Sequence, residues 1–192
     1  MRFVNLFLVG LLAFSQVSAH AEEKKGDKKV SSALAFTMKG IDGKEVDLSK
    51  YKGKVVLLVN VASKCGLTPQ YEALEGLHEK YAEKGLAIVG VPANEFGKQE
   101  PGTNEEIQKF CSTKYNVKFD MLSKVVVKGE GICPLYAFLT SKESNPKFGG
   151  EIGWNFTKFL VNKKGEVVGR FEPRTDPNSP EVIKAIEAEL AK

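Results

Sequence analysis

Between residues 55 and 66 the chain reads VVLLVNVASKCG, and the stretch that follows, LTPQYEALEGLHEKYAEKG, carries apolar residues at helical spacing. A run with no polar residue before Asn60 suits a strand covered on both faces, so this segment demands a layered α/β fold. It also puts Cys65 at the junction between that strand and the first turn of a helix. The positive end of a helix dipole favours a thiolate over a thiol, which makes Cys65 a candidate nucleophile.

The rest of the chain is compatible with that start. Tyr71, Leu74, Leu77 and Tyr81 recur at spacings of three and four, with Thr68 read as N-cap, Pro69 as the first helical residue and Gly85 as the stop. A second continuous apolar run at 86–91 predicts a strand parallel to the first, joined by a right-handed crossover. Upstream, 34–48 reads as a hairpin turning at Asp42-Gly43. Downstream, Thr103 and Glu106 form a capping box for a helix over 104–113, with Ile107, Phe110 and Cys111 on one face. A short strand is predicted at 122–127, a helical stretch at 134–140 and a hairpin over 156–171 around Asn162-Lys163-Lys164-Gly165. Ser179-Pro180 opens the last helix, whose apolar face is Val182, Ile183, Ile186 and Leu190. No repeat or internal break interrupts this order, which predicts one α/β domain over 33–192 whose sheet begins parallel and closes with an antiparallel hairpin.

The N-terminus has the form of an export signal. Arg2 precedes an apolar stretch over 3–14, and Val17-Ser18-Ala19 or Ala19-His20-Ala21 supplies a small-residue cleavage site, so 1–21 is predicted to be a signal peptide. The apolar stretch is short of the roughly 20 residues that span a bilayer, so no stable membrane insertion is expected. The next residues, 22–32, read EEKKGDKKVSS and are expected to be a disordered charged leader. The protein is thus expected to be exported, periplasmic or secreted. A net charge of +4 is too small to argue for nucleic acid.

Histidine is scarce. Of two in the chain, His20 falls in the signal and His78 inside a helix, which leaves little for a Ser-His-Asp triad, a Cys-His dyad or a zinc site. No metal and no cofactor is expected. A free thiol with a pKa of about 8.5 is only a few per cent ionised at neutral pH. A helix dipole contributes about 0.3 to 1 kcal/mol against 1.36 kcal/mol per unit, so further donors must converge on a working thiolate. A dithiol motif is absent, because Thr68 stands where Cys-x-x-Cys would place its second sulfur. That sulfur would have to be Cys111 or Cys133, and the residues leave all three pairings open.

Three segments, NVASKCGLTPQYEALEGLHEKY, VPANEFGKQEPGTNEEI and WNFTKFLVNKKGEVVGRF, resemble the signature segments of the glutathione peroxidase family, in order and in spacing. The resemblance extends from Ala33 to the C-terminus. It implies a thioredoxin fold, three-layer α/β/α with a mixed central sheet, carrying an added N-terminal β-hairpin. It also implies a catalytic set of Cys65, Gln99, Trp154 and Asn155, with Cys65 as the peroxidatic residue where many animal relatives have selenocysteine. The Gln and Asn amides and the indole N–H are all donors that can favour a thiolate. The chemistry implied is reduction of hydrogen peroxide and of organic or lipid hydroperoxides through a Cys65 sulfenic acid.

In relatives that draw electrons from thioredoxin, a resolving cysteine sits on the helix after the EPGT segment, and FCSTKYNVKF matches that pattern. The resemblance therefore assigns Cys111 the resolving role, by disulfide formation with Cys65, and gives Cys133 none. Disulfide geometry then predicts that the helix over 104–113 unwinds during turnover. Tetrameric, glutathione-using relatives carry an extra loop that this chain lacks, since Tyr115 runs through Asn116-Val117-Lys118-Phe119 directly to Met121. The implied protein is a compact monomer whose electron donor is a thioredoxin-like protein, or glutathione. In an oxidising compartment the former would be a dedicated exported reductase. Two positions depart from the usual pattern: Ala93, often Cys, and Glu95, usually Gln. A carboxylate facing the site would oppose a thiolate, so Glu95 is expected to face solvent. The alternative to a scavenging peroxidase is a peroxide sensor or relay that passes its disulfide to a client protein.

Overall fold

The computed structural model describes Met1 and residues 31–192. Apart from Met1, the expected signal over 1–21 and the leader as far as residue 30 therefore lie outside the described residues. Strands β1 (Thr37–Lys39) and β2 (Glu45–Asp47) pair antiparallel, and Gly43, with φ of 80°, makes the turn between them as Asp42-Gly43 predicts. The central strand β3 (Val55–Val61) is buried at every residue, as its unbroken apolar run requires. It leads through the Cys65 loop into α1 (Gln70–Tyr81), which ends in a short 3₁₀ turn and the left-handed Gly85. Strand β4 (Leu86–Pro92) then lies parallel to β3 over seven residues.

The capping box at Thr103 and Glu106 is formed in full and opens α2 (Asn104–Tyr115), which stops at the left-handed Asn116. Strand β5 is only Asp120–Met121, short of and ahead of the strand expected at 122–127. The reason is Pro92. Leu122 N–H still donates to Gly90, but the return bond of a parallel ladder would need the N–H that proline lacks. The chain instead donates from Ser123 N–H to Lys39 and from Val125 N–H to Pro92. Helix α3 (Pro134–Thr140), the hairpin of β6 (Lys158–Val161) and β7 (Val167–Phe171), and α4 (Pro180–Leu190), capped by Ser179, follow where expected.

The large sheet runs β5-β4-β3-β6-β7, parallel on one side of β3 and antiparallel on the other. Alternate residues of β3 feed two cores. Val56 and Leu58 pack with Tyr136 and Leu139 of α3 and with Met38 of the small hairpin. Leu57 and Val59, on the opposite face, pack with Leu74 of α1, Ile107 of α2 and Ile186 of α4. The result is a three-layer α/β/α arrangement with the hairpin added beside α3.

Candidate active site

The loop between β3 and α1 is built differently from its sequence reading. Thr68 does not cap α1. Pro69 occupies the N-cap position without a side-chain bond, and successive 3₁₀-type bonds run from Cys65 into the helix. The Thr68 hydroxyl instead accepts the Cys65 N–H at 3.0 Å and donates to the Ala62 carbonyl at 2.8 Å, bridging both sides of the loop. Lys64 N–H donates to the Gln99 carbonyl, which ties the loop to the segment after β4. Cys65 is left 9% exposed, its sulfur accepting the Leu67 N–H at 3.4 Å.

Two further segments reach the sulfur's surroundings through left-handed backbone. Gly97 and Lys98, with φ of 64° and 54°, turn the chain just before Gln99, and Phe156, with φ of 66°, does so just after Asn155. Such a conformation costs a bulky residue about 1 to 3 kcal/mol and persists where neighbours over-determine it. Here Asn60 supplies that constraint. Its carbonyl accepts the Phe156 N–H at 2.6 Å and its side-chain amide donates to the Trp154 carbonyl at 3.1 Å.

Cys65, Gln99 and Trp154 consequently line one open cleft of ≈ 630 Å³ together with Leu67, Glu172, Pro173 and Arg174. Trp154 is 40% exposed and rests on Phe96, with ring centroids 5.8 Å apart. Asn155 does not line the cleft. It is fully buried behind it, and its amide donates to Gln99 Oε1 at 3.0 Å. That bond occupies the carbonyl end of the Gln99 amide and leaves the NH₂ end as the donor available to the cleft.

Cys111 lies on α2, buried in the same apolar cluster as Cys65 but outside its cleft, and all three cysteines are free thiols. Burial pushes the Cys111 thiol up to about 11, and the Glu100 carboxylate adds to that, while the Tyr71 hydroxyl facing it acts in the opposite sense. Glu100 is itself buried, which raises its carboxyl; its strongest counterweight is a hydrogen bond from the Ser63 hydroxyl at 3.0 Å. Cys133 is half-buried at the N-cap of α3, where burial likewise raises its thiol. Glu95 is exposed, as expected of it, and accepts the Val127 N–H at 2.9 Å.

Two groups at the site had no reading in the sequence, the buried Glu100 and Lys158 bonded to the 172–175 loop, and a third, Thr68, was read as a cap rather than a bridge. Only Lys158 had a signal. It is a lysine in the strand KFLV, whose four residues are all buried.

The glutathione peroxidase family model matches residues 33–140. A glutathione peroxidase of Lactococcus lactis is 49% identical over 146 residues, covering 76% of this chain and 92% of that protein. The thioredoxin/glutathione peroxidase BtuE of Escherichia coli is 43% identical over 180 residues, covering 84% and 98%. Among solved structures, that of T. cruzi GPX1 superposes with a TM-score of 0.65 at 33% identity, over 83% of this chain and 97% of that one.

Proposed function

The chain belongs to the glutathione peroxidase family and is a peroxidase, and from that premise we propose that Cys65 is its peroxidatic thiol and Cys111 the thiol that resolves it. The observation that carries this reading is the one cleft that Cys65, Gln99 and Trp154 line together. The Cys65 thiolate attacks the terminal oxygen of a hydroperoxide and the O–O bond breaks. Water or an alcohol leaves after taking a proton, and Cys65 becomes a sulfenic acid. The Leu67 N–H, the free end of the Gln99 amide and the Trp154 indole are the donors that stabilise the thiolate and the charge on the leaving oxygen. Asn155 acts one step back, by orienting Gln99.

Cys111 then attacks the Cys65 sulfur, forming the disulfide and releasing water. A disulfide needs its Cα atoms within about 7 Å, and a thiol held up at about 11 is a poor nucleophile, so α2 opens to bring Cys111 out. Two features support that motion. Only Ile107 and Cys111 of α2 are buried, and clefts of ≈ 540 and ≈ 500 Å³ flank the helix. A dithiol or two glutathiones return the enzyme to its reduced form. The name of the E. coli relative fits either a thioredoxin-like protein or glutathione as donor, and the compact turn after α2 favours the former, with the protein a monomer. The form of the N-terminal 21 residues supports an exported compartment. The open cleft suits alkyl and lipid hydroperoxides as well as hydrogen peroxide.

The test compares wild type with Cys111→Ser at fixed peroxide, using thioredoxin and then glutathione. Loss of thioredoxin-supported turnover, with the first oxidation of Cys65 intact, is expected. Turnover with thioredoxin at the wild-type rate excludes Cys111 as the resolving thiol.

A further inference from the structure

Lys158 is fully buried on β6, between Val59 of β3 and Phe171 of β7. A lysine buried in this way must give its hydrogen bonds to something. Its Nζ donates to three backbone carbonyls of one loop: Thr175 at 2.6 Å, Pro173 at 3.1 Å and Glu172 at 3.4 Å. Gln70, the first residue of α1, donates to the same Pro173 carbonyl at 2.8 Å. This loop supplies Glu172, Pro173 and Arg174 to the wall of the cleft that Cys65, Gln99 and Trp154 also line. The segment from Trp154 to Lys158 thus supplies one lining residue of the cleft, Trp154, and the anchor of another part of its lining, Lys158.

We propose that Lys158 is a positioning residue that sets the width of the Cys65 cleft, holding the 172–175 wall through these three carbonyl bonds, and thereby decides how bulky a hydroperoxide reaches the sulfur. The inference rests on the peroxidase reading above and adds to it a determinant of substrate size. Removing the donors leaves the Thr175 carbonyl unpaired, while Gln70 still donates to Pro173 and Thr175 N–H to Glu172, and the wall loosens outward from its Thr175 end.

A dependence on pH follows, and its sign can be worked out. Burial lowers the Lys158 ammonium to about 8, while Asp176 and Glu172, the charged groups acting on it, pull the other way. The neighbouring β3 and β7 present Val59 and Phe171, and α1 presents the uncharged Gln70. A displaced wall would hydrate Nζ and restore its ordinary value of 10.5. The seated wall, which the neutral amine still holds through two N–H bonds, therefore binds fewer protons than the displaced one and gains on it as pH rises through about 8.

The experiment measures the ratio of kcat/KM for cumene hydroperoxide to that for hydrogen peroxide, in which the ionisation of Cys65 cancels, between pH 7 and 9.5. In wild type the ratio is expected to fall about threefold as the wall tightens, the scale of a modest hydrogen-bond contribution. In Lys158→Met it is expected to start about fivefold higher and to stay flat. A flat wild-type ratio, or a variant profile that follows wild type, overturns the proposal. The wild-type profile needs no variant to fold. A separate readout needs no turnover: the backbone amide NMR signals of Arg174 and Thr175 are expected to titrate with a midpoint near 8 in wild type. Titration of those signals in a protein that reduces no hydroperoxide would refute the peroxidase reading and leave the wall anchor standing, whereas their absence refutes the anchor alone.

Discussion

The Cys65 loop and helix α2 carry the two cysteines of the proposed cycle, and they are held in opposite ways. The loop leaves a strand buried at all seven residues and is closed by the Thr68 bridge, by Lys64 N–H on the Gln99 carbonyl and by Ser63 on Glu100. Helix α2 buries two of its 12 residues and is held mainly at its ends, by the capping box, by Asn116 and by Lys124, whose ammonium donates to the Glu100 and Gly102 carbonyls. A helix of that length has little stability of its own. In the proposed cycle the difference separates two tasks: the thiol that meets substrate sits where the backbone is over-determined, and the thiol that travels sits on a helix held by its caps and a narrow packed face.

The largest effect that could break this division is at Cys65. Cys65→Ser is expected to lower peroxide consumption by at least about a thousandfold while the fold persists, because a hydroxyl is a far weaker nucleophile than a thiolate. Steady-state peroxide assays check it, and residual turnover through Cys111 would show that the helix thiol can meet substrate directly. Next in size is Thr68→Val, which leaves the Cys65 N–H and the Ala62 carbonyl unpaired in a buried loop. A cost of about 2 to 3 kcal/mol is expected in urea unfolding, with slower Cys65 oxidation. An unchanged midpoint would mean that the loop's rigidity comes from elsewhere.

The third prediction sharpens the α2 side. With Cys111 raised from 9.0 to about 11, the folded protein holds the proton more tightly than the unfolded chain. Its contribution to stability is thus complete below about 9 and lost as pH rises from there to about 11. Wild type is expected to lose up to about 2 kcal/mol relative to Cys111→Ser across that window, at 1.36 kcal/mol per unit. Denaturant midpoints of the two proteins at pH 8, 9 and 10 measure it. A constant difference would mean that Cys111 is already hydrated in the resting enzyme.

What could be read from the sequence depended on whether a residue's partners were local. The unbroken run of β3, the capping box at Thr103, the turn at Asp42-Gly43 and the start at Ser179-Pro180 each rest on neighbours within a few positions, and each is where it was expected. Thr68 misled because a threonine before a proline can cap a helix or bridge a loop, and the choice depends on how Ala62 and Cys65 present their backbone groups. Strand β5 was cut short of 122–127 by Pro92, a residue of its partner strand. At the site, the meeting of Cys65, Gln99 and Trp154 was legible only through the family resemblance, since nothing local links three segments so far apart. The family pattern did not reveal that Asn155 stands behind Gln99, or that Lys158 donates to the carbonyls of the 172–175 loop.

The smallest expected effect is the most direct test of α2. In the capping box the Thr103 hydroxyl accepts the Glu106 N–H at 3.3 Å, and the Glu106 carboxylate accepts the Thr103 N–H at 2.8 Å. Thr103→Ala removes the first bond, which is worth about 1 kcal/mol in such a cap. If α2 opens on its own, nearly all of that loss falls on the helix and its open population rises about fivefold. In the reduced enzyme, alkylation of Cys111 should then accelerate by about that factor while alkylation of Cys65 stays at its wild-type rate, and disulfide formation after a peroxide pulse should accelerate with it. The two cysteines serve as internal controls for each other. If Thr103→Ala lowers the denaturant midpoint but leaves Cys111 labelling unchanged, α2 melts only together with the whole domain. The contrast between a rigid site of attack and a mobile site of resolution would then fail at its second half.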